Sequence, residues 1–217
     1  MLAALAASDA VLLRQGAVTG ARHTVAADAI AQSGLERARA FRASASESRA
    51  RLRALPAVRD ARVDLDVLGT YRIALTEREA AGRWLIAAVE WFIDAEGVLF
   101  ASVDPTAAPA LRVRDLRVAR GTPGERMDPA LVQAALRLAA LAPGELRADM
   151  RGPEVVIEAG ANGIVLRSGA RWEVRFGGPE NFEEKLIVAR QFLRNEPDRP
   201  LDYVDVRRPE QIVFSPR

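Results

Sequence analysis

The stretch "RLRALPAVRDARVD", residues Arg51 to Asp64, changes its periodicity at Pro56. Before the proline, Leu52 and Leu55 are three apart. After it, Ala61, Val63, Leu65 and Val67 alternate with Arg62, Asp64 and Asp66. A spacing of three to four belongs to one face of a helix and a spacing of two to one face of a strand. Because proline cannot continue a helix, one is expected to end here and a strand over 58–67 to begin almost at once.

Working outward, "SASESRARLRAL" supplies the start of that helix. Ser44 stands three residues before Glu47, the pattern of a capping box. An earlier helix is expected from a Thr24 cap through about Ala31, ended by "SGL" at Ser33 to Leu35. "VLLRQGAVT", 11–19, reads as a first strand. On the other side, "TYRIALTER" alternates Tyr71, Ile73 and Leu75 with polar neighbours and should pair with the 58–67 strand. The order is strand, helix, helix, strand, strand, over 11–80.

Beyond Ala80 short strands and turns dominate, so 81–217 is expected to be a second, mostly antiparallel β domain with a helix near its end. The overall class is α+β. "WFIDAEGVLF" reads as a hairpin with Gly97 at a positive φ, and "DPTAAPA" as a loop. "LRVRDLRV" is another strand. Asp128 and Pro129 suit the cap and first turn of a helix to about Leu141, with Leu131, Val132, Ala135, Leu138 and Ala139 as its stripe. "EVVIEA", "GIVLRS" and "RWEVRFG" are expected to be antiparallel and half-exposed. A last helix, about 181–194, carries Phe182, Leu186, Ala189 and Leu193, widened by Ile187 and Phe192.

Composition narrows the function. The chain has 217 residues, 49% of them hydrophobic, and 31 basic against 29 acidic residues give a net charge of +2. The arginines are interleaved with Asp and Glu, as in "ARVDLD", so they read as solvated strand faces and argue against nucleic-acid binding. There is no cysteine, which removes disulfides and thiolate chemistry. "MLAALAAS" is too short to span a membrane; residues 1–10 are read as a possible remnant of a spanning helix.

No reactive constellation emerges, and neither catalytic residue, cofactor nor metal is expected. His23, the one histidine, sits in a turn without a carboxylate cluster and reads as exposed. No serine lies in a G-x-S-x-G elbow, and the glycines of "GANG" and "RFGGPE" lack phosphate-loop spacing. The pairs Asp64/Asp66 and Glu183/Glu184 fall on exposed faces, poor places for a general acid. Lys185, the single lysine, either lays its stem on the sheet with its ammonium in water or contacts a partner.

The segments "GAVTGARHTV", "RLRALPAVRDARV", "IALTEREAAGRW", "IDAEGVLF" and "FGGPENFEEKLIVARQFL" followed by "LDYVDVRRPEQIVF" occur in an order and spacing that resembles the extracytoplasmic part of the bacterial cell-division family FtsQ, called DivIB in Gram-positive bacteria. The resemblance implies a POTRA domain over 11–80, a spanning helix upstream, and an anchored protein at the division septum. It further implies a non-enzymatic scaffold that joins early components to FtsB (DivIC) and FtsL and so helps control septal peptidoglycan synthesis. The alternatives are a POTRA-type accessory docking polypeptides in transport, and a cell-wall hydrolase, which would need a buried acid or a metal. Under the family reading FtsB pairs with the last strand, read here as Gln211, Ile212, Val213 and Phe214, flanked by Arg207, Arg208 and Glu210. Arg208 stands where some family members have tyrosine. Without a partner, that strand simply completes the sheet, with Ile212 and Phe214 in the core and Arg207 and Arg208 solvated.

Overall fold

Pro56 separates helix from strand in the computed structural model, which describes residues 12–66, 68–142 and 144–217. The possible remnant at 1–10, the start of the first strand at Val11 and the end of the second at Val67 lie outside those residues. The chain divides into two compact units. One comprises residues up to 79 together with 100–107, the other 80–99 with 108–217.

The first unit follows the order strand, helix, helix, strand, strand. Its elements are β1 (Gln15–Thr19), α1 (Ala26–Ser33), α2 (Ala45–Leu52), β2 (Val58–Leu65) and β3 (Thr70–Glu77). The sheet order is β1-β3-β2, with β1 parallel and β2 antiparallel to β3. β2 and β3 turn alternate residues inward, so Ala61, Val63, Tyr71, Ile73 and Leu75 form one core with Leu52 of α2. The Ser44 hydroxyl caps α2 by accepting from the Glu47 amide at 3.3 Å, and Gly34 ends α1 at φ 69.

Thr24 does not cap α1. Its hydroxyl is buried without a hydrogen-bond partner, and the extended residue before the helix is Val25. The carboxylate of Glu77, at the end of β3, takes the loop amides instead, accepting from Arg22 at 2.8 Å, His23 at 2.6 Å and Thr24 at 2.9 Å. Those amides precede the helix, so Glu77 fixes the entry loop, and the first turn of α1 has no side-chain cap. His23 is likewise not the exposed turn residue that sequence suggests. It is 8% exposed, its Nδ1 2.8 Å from Ser102 Oγ.

The second unit is built on a nine-stranded sheet ordered β12-β11-β10-β9-β8-β7-β4-β5-β6. The strands are β4 (Gly82–Ile86), β5 (Val89–Ile93), β6 (Leu99–Phe100), β7 (Arg112–Asp115), β8 (Glu154–Ile157), β9 (Ile164–Arg167), β10 (Glu173–Gly177), β11 (Leu201–Asp205) and β12 (Val213–Pro216). Two helices, α3 (Pro129–Ala139) and α4 (Phe182–Asn195), complete it. The sheet is mixed: β4–β5, β8–β9, β9–β10 and β11–β12 pair antiparallel as expected, while β4–β7, β7–β8 and β10–β11 pair in parallel. α3 lies in the crossover from β7 to β8 and α4 in that from β10 to β11, and parallel neighbours need such long connections. β8 and β9 are not half-exposed either. Val155, Val156, Ile157, Ile164, Val165 and Leu166 are all at most 2% exposed, the pattern of central strands buried on both faces.

Other details follow the periodicity. Gly97 has φ 84 in the turn after β5, where the Asp94 carboxylate accepts from the Glu96 and Val98 amides. Asp128 accepts from the Ala130 amide with Pro129 in the first turn of α3, which buries Leu131, Val132, Ala135 and Leu138. α4 buries Phe182, Leu186, Ala189 and Leu193, while Ile187 is 59% exposed and so lies off its core stripe.

Candidate interaction edge

The nine-stranded sheet ends differently on its two sides. At one end β6 is two residues long and both are fully buried. The segment 124–127 closes it, with Leu99 donating to Glu125 C=O, Gly124 to Leu99 C=O and Met127 to Gly97 C=O. At the other end β12 pairs antiparallel with β11 and, among the described residues, with no other strand, Val204 opposite Phe214 and Asp205 opposite Val213. The strand runs from Val213 to Pro216, two residues later than the sequence places it, because residues 208–211 form a turn closed by Gln211 N–H on Arg208 C=O at 3.0 Å.

Alternation along β12 decides which backbone groups are free. Arg217 N–H donates to Pro200 C=O at 3.3 Å, on the β11 side. Stepping back by two, Ser215 and Val213 also turn their amides towards β11, so Phe214 turns its N–H and C=O outward. Pro216 occupies the next outward position, where it has no donor to offer. The outward face of β12 thus presents one full donor–acceptor pair at Phe214, and Pro216 limits extension of a ladder past it.

Side chains frame this edge. Phe214 is 37% and Val213 46% exposed, so neither belongs to the core, whereas Ile212 is partly buried against it. The Phe214 ring meets Phe192 of α4 at 5.2 Å, and the Arg199 guanidinium lies 4.8 Å over it. Arg207 is not simply solvated. Its Nη2 is 2.6 Å from Asp205 Oδ2, its amide donates to Asp205 Oδ1, and its stem lies against Gly177, where an added Cβ would be 3.0 Å from Arg207 Cγ. Burial alone would raise the Asp205 pKa, but the hydrogen bonds from the Arg207 side chain and amide outweigh it and hold the carboxyl below its ordinary value. Arg208, Glu210 and Gln211 are exposed beside the strand.

Lys185 does not reach this surface. It is 5% exposed, and its ammonium, far from standing in water, donates to Gly178 C=O at 3.0 Å. Burial lowers its pKa, opposed by Glu180. Asp64, Asp66, Glu183 and Glu184 are exposed, and among the described residues no group of three or more His, Asp or Glu side chains is placed to hold a metal ion. The Phe192–Phe214–Arg199 stack and the Glu77 clasp escaped the sequence reading. The only trace of the stack was Phe192 widening the helical stripe.

An open sheet edge framed by aromatic and charged side chains is a surface to which an extended strand can add. No family model matches the chain. Among curated proteins it is similar to the cell division protein FtsQ of Chloroflexus aurantiacus (strain ATCC 29366 / DSM 635 / J-10-fl), 28% identical over 153 residues, which is 70% of this chain and 54% of that protein. The match thus spans about half the length of the relative. It supports the resemblance to FtsQ/DivIB read from the sequence motifs. Among the described residues no helix is long and apolar enough to cross a membrane.

Proposed function

We propose that this chain is the extracytoplasmic part of a division-septum protein of the FtsQ/DivIB type, working by binding and not by catalysis. In this reading 11–80 is a POTRA domain and 81–217 a β domain. A spanning helix upstream holds the protein in the cell membrane. The β domain takes a strand from an FtsB/DivIC-like protein at β12, an FtsL-like protein joins the assembly, and the assembly helps control septal peptidoglycan synthesis.

The observation that carries the reading is the contrast between the two ends of the nine-stranded sheet, β6 closed by 124–127 and β12 covered by nothing among the described residues. Strand addition draws its affinity from backbone hydrogen bonds, and the outward N–H and C=O of Phe214 are those on offer. Phe214, Val213, Gln211 and Ile212 would face or flank the added strand. Arg208 and Glu210 supply unspent charge beside it, while Arg207, held by Asp205, fixes the turn that delivers β12.

Titration calorimetry with a purified FtsB/DivIC-like extracytoplasmic fragment tests this. Phe214→Pro removes the outward donor and the ring; Phe214→Ala removes only the ring. The proline variant is expected to bind about tenfold more weakly than the alanine variant, the worth of a backbone hydrogen bond. Equal affinities of the two would exclude strand addition at β12.

A further inference from the structure

The tip of the β4–β5 hairpin and the loop 119–123 enclose a small cavity in the second unit. Ile86 pairs with Val89 across a two-residue turn, and these residues, with Trp91 and Pro123, supply apolar walls around about 280 Å³. That is just below the ~300–1,000 Å³ of sites for drug-sized molecules, so it has room for one large aliphatic side chain and little more. The loop wall is pinned in place. The Thr122 amide donates to Glu125 Oε2 at 2.9 Å and the Gly124 amide to Leu99 C=O at 2.7 Å, so a ligand need not assemble it.

Two donors at this cavity are unspent. The Trp91 indole N–H is buried and has no hydrogen-bond partner among the described residues, although a buried tryptophan ordinarily finds one. Its pyrrole edge lies against Gly121 in the cavity wall: an added Cβ there would be 2.8 Å from Trp91 Nε1 and 2.8 Å from Ile86 Cδ1, so a side chain at 121 would press on both and fill the space beside the N–H. Arg120, the second donor, is exposed in the same wall and forms no ion pair among the described residues. Among those residues no carboxylate lines the cavity.

The geometry points to this cavity being a receptor for the carboxy-terminal residue of a partner polypeptide, one with a leucine-sized aliphatic side chain. The apolar walls call for the aliphatic group. Two donors without an acceptor, one of them a cation, call for an anionic acceptor beside it. Within a polypeptide, only the last residue carries an aliphatic side chain and a carboxylate on the same Cα. The side chain fills the space between Ile86, Val89 and Pro123, one carboxylate oxygen accepts from Trp91 Nε1–H, and Arg120 meets the charge. β5 lies next to the far end of the nine-stranded sheet from β12, so this site is independent of strand addition there.

N-acetyl-leucine is the probe, because it reproduces a carboxy-terminal leucine. N-acetyl-leucinamide reproduces an internal one, and sodium acetate supplies the carboxylate alone. The readout is the indole N–H resonances of the three tryptophans, followed by NMR. Trp84 Nε1 already donates to Asp115 Oδ2 at 3.1 Å and serves as the internal reference. N-acetyl-leucine is expected to move the Trp91 N–H downfield and saturably, with a dissociation constant of roughly 1–10 mM for so small a ligand, while Trp84 and Trp172 stay in place. The amide and acetate should each bind about fivefold more weakly or less. Arg120→Gln, a surface change, should lower the affinity for N-acetyl-leucine about fivefold, to that of the amide. Gly121→Ala should abolish the Trp91 shift; if that variant does not fold, Arg120→Gln decides. A Trp91 resonance unmoved at roughly 50 mM N-acetyl-leucine, acetate or the amide binding as well as N-acetyl-leucine, or full affinity in Arg120→Gln would each overturn the receptor.

Discussion

Glu77→Ala should loosen the first unit more than any loss at the residue sequence reading assigns as the cap. Three loop amides end on that one carboxylate. The Arg22 amide belongs to an exposed residue and water replaces its partner at little cost. The His23 and Thr24 amides are part-buried, and each loses a charge-assisted bond worth about 1 kcal/mol net, giving about 2 kcal/mol for the variant. Thr24→Val replaces a buried, unpartnered hydroxyl by a methyl of the same shape and should change stability by less than about 0.5 kcal/mol, or raise it. Trp84, Trp91 and Trp172 all lie in the second unit, so tryptophan fluorescence does not report the loss and serves as an internal control. The assay is native-state amide exchange at Ile73, 1% exposed on the middle strand of the first sheet. About 2 kcal/mol is a fall of roughly 30-fold in protection. Protection within about threefold of wild type in Glu77→Ala, or an equal fall in Thr24→Val, would refute the clasp.

Lys185→Met should cost less than about 1.5 kcal/mol in urea unfolding, because it exchanges a buried cation for an apolar chain of similar length. Its pH dependence has a definite sign. The folded pKa is lowered by burial, so the unfolded chain binds more protons and wild-type stability climbs with pH over the window just below 10.5, a slope absent from Lys185→Met melts taken across the same range. Asp205→Asn should destabilise by about 1–2 kcal/mol, since it weakens the Arg207 clamp at the turn into β12. Because the Asp205 pKa is depressed, its contribution is present above 3.8 and lost as pH falls through the lower folded value; acid melts of the variant should lack that loss. Val213→Pro removes an amide turned towards β11, so it should lower the melting temperature as well as binding, whereas Phe214→Pro should lower binding with a smaller change in melting temperature, both read by calorimetry.

Elements whose physics is local were legible. The period change at Pro56, the Ser44 and Asp128 caps and the Gly34 and Gly97 turns depend on neighbours within a few residues, and each stands where the pattern puts it. What depended on distant chain was not. Parallel pairing of β7 with β8 and of β10 with β11 leaves no mark beyond a helix between two strands, and β8 and β9 look alternating only if a single buried face is assumed. The Glu77 clasp on the loop ahead of α1 joins residues 53 to 55 apart, and the His23–Ser102 hydrogen bond joins residues 79 apart. Of the candidate edge, its place at the end of the chain was readable. Its start at Val213 was not, because the turn over 208–211 consumes residues that pattern alone assigns to the strand. Nor was the commitment of Arg207 to Asp205, or the burial of Lys185, visible in spacing.

Under the proposed function, the backbone of Phe214 is the group on which partner binding turns. Amide exchange at Phe214 and at Val213, measured by NMR with and without a purified FtsB/DivIC-like extracytoplasmic fragment, examines it directly. An added strand predicts that Phe214, outward and unprotected alone, gains protection of roughly tenfold or more in the complex, while Val213, already bonded towards β11, changes little. A complex that forms with Phe214 exchange unchanged would contradict strand addition at β12, and no complex at all would contradict the partner class.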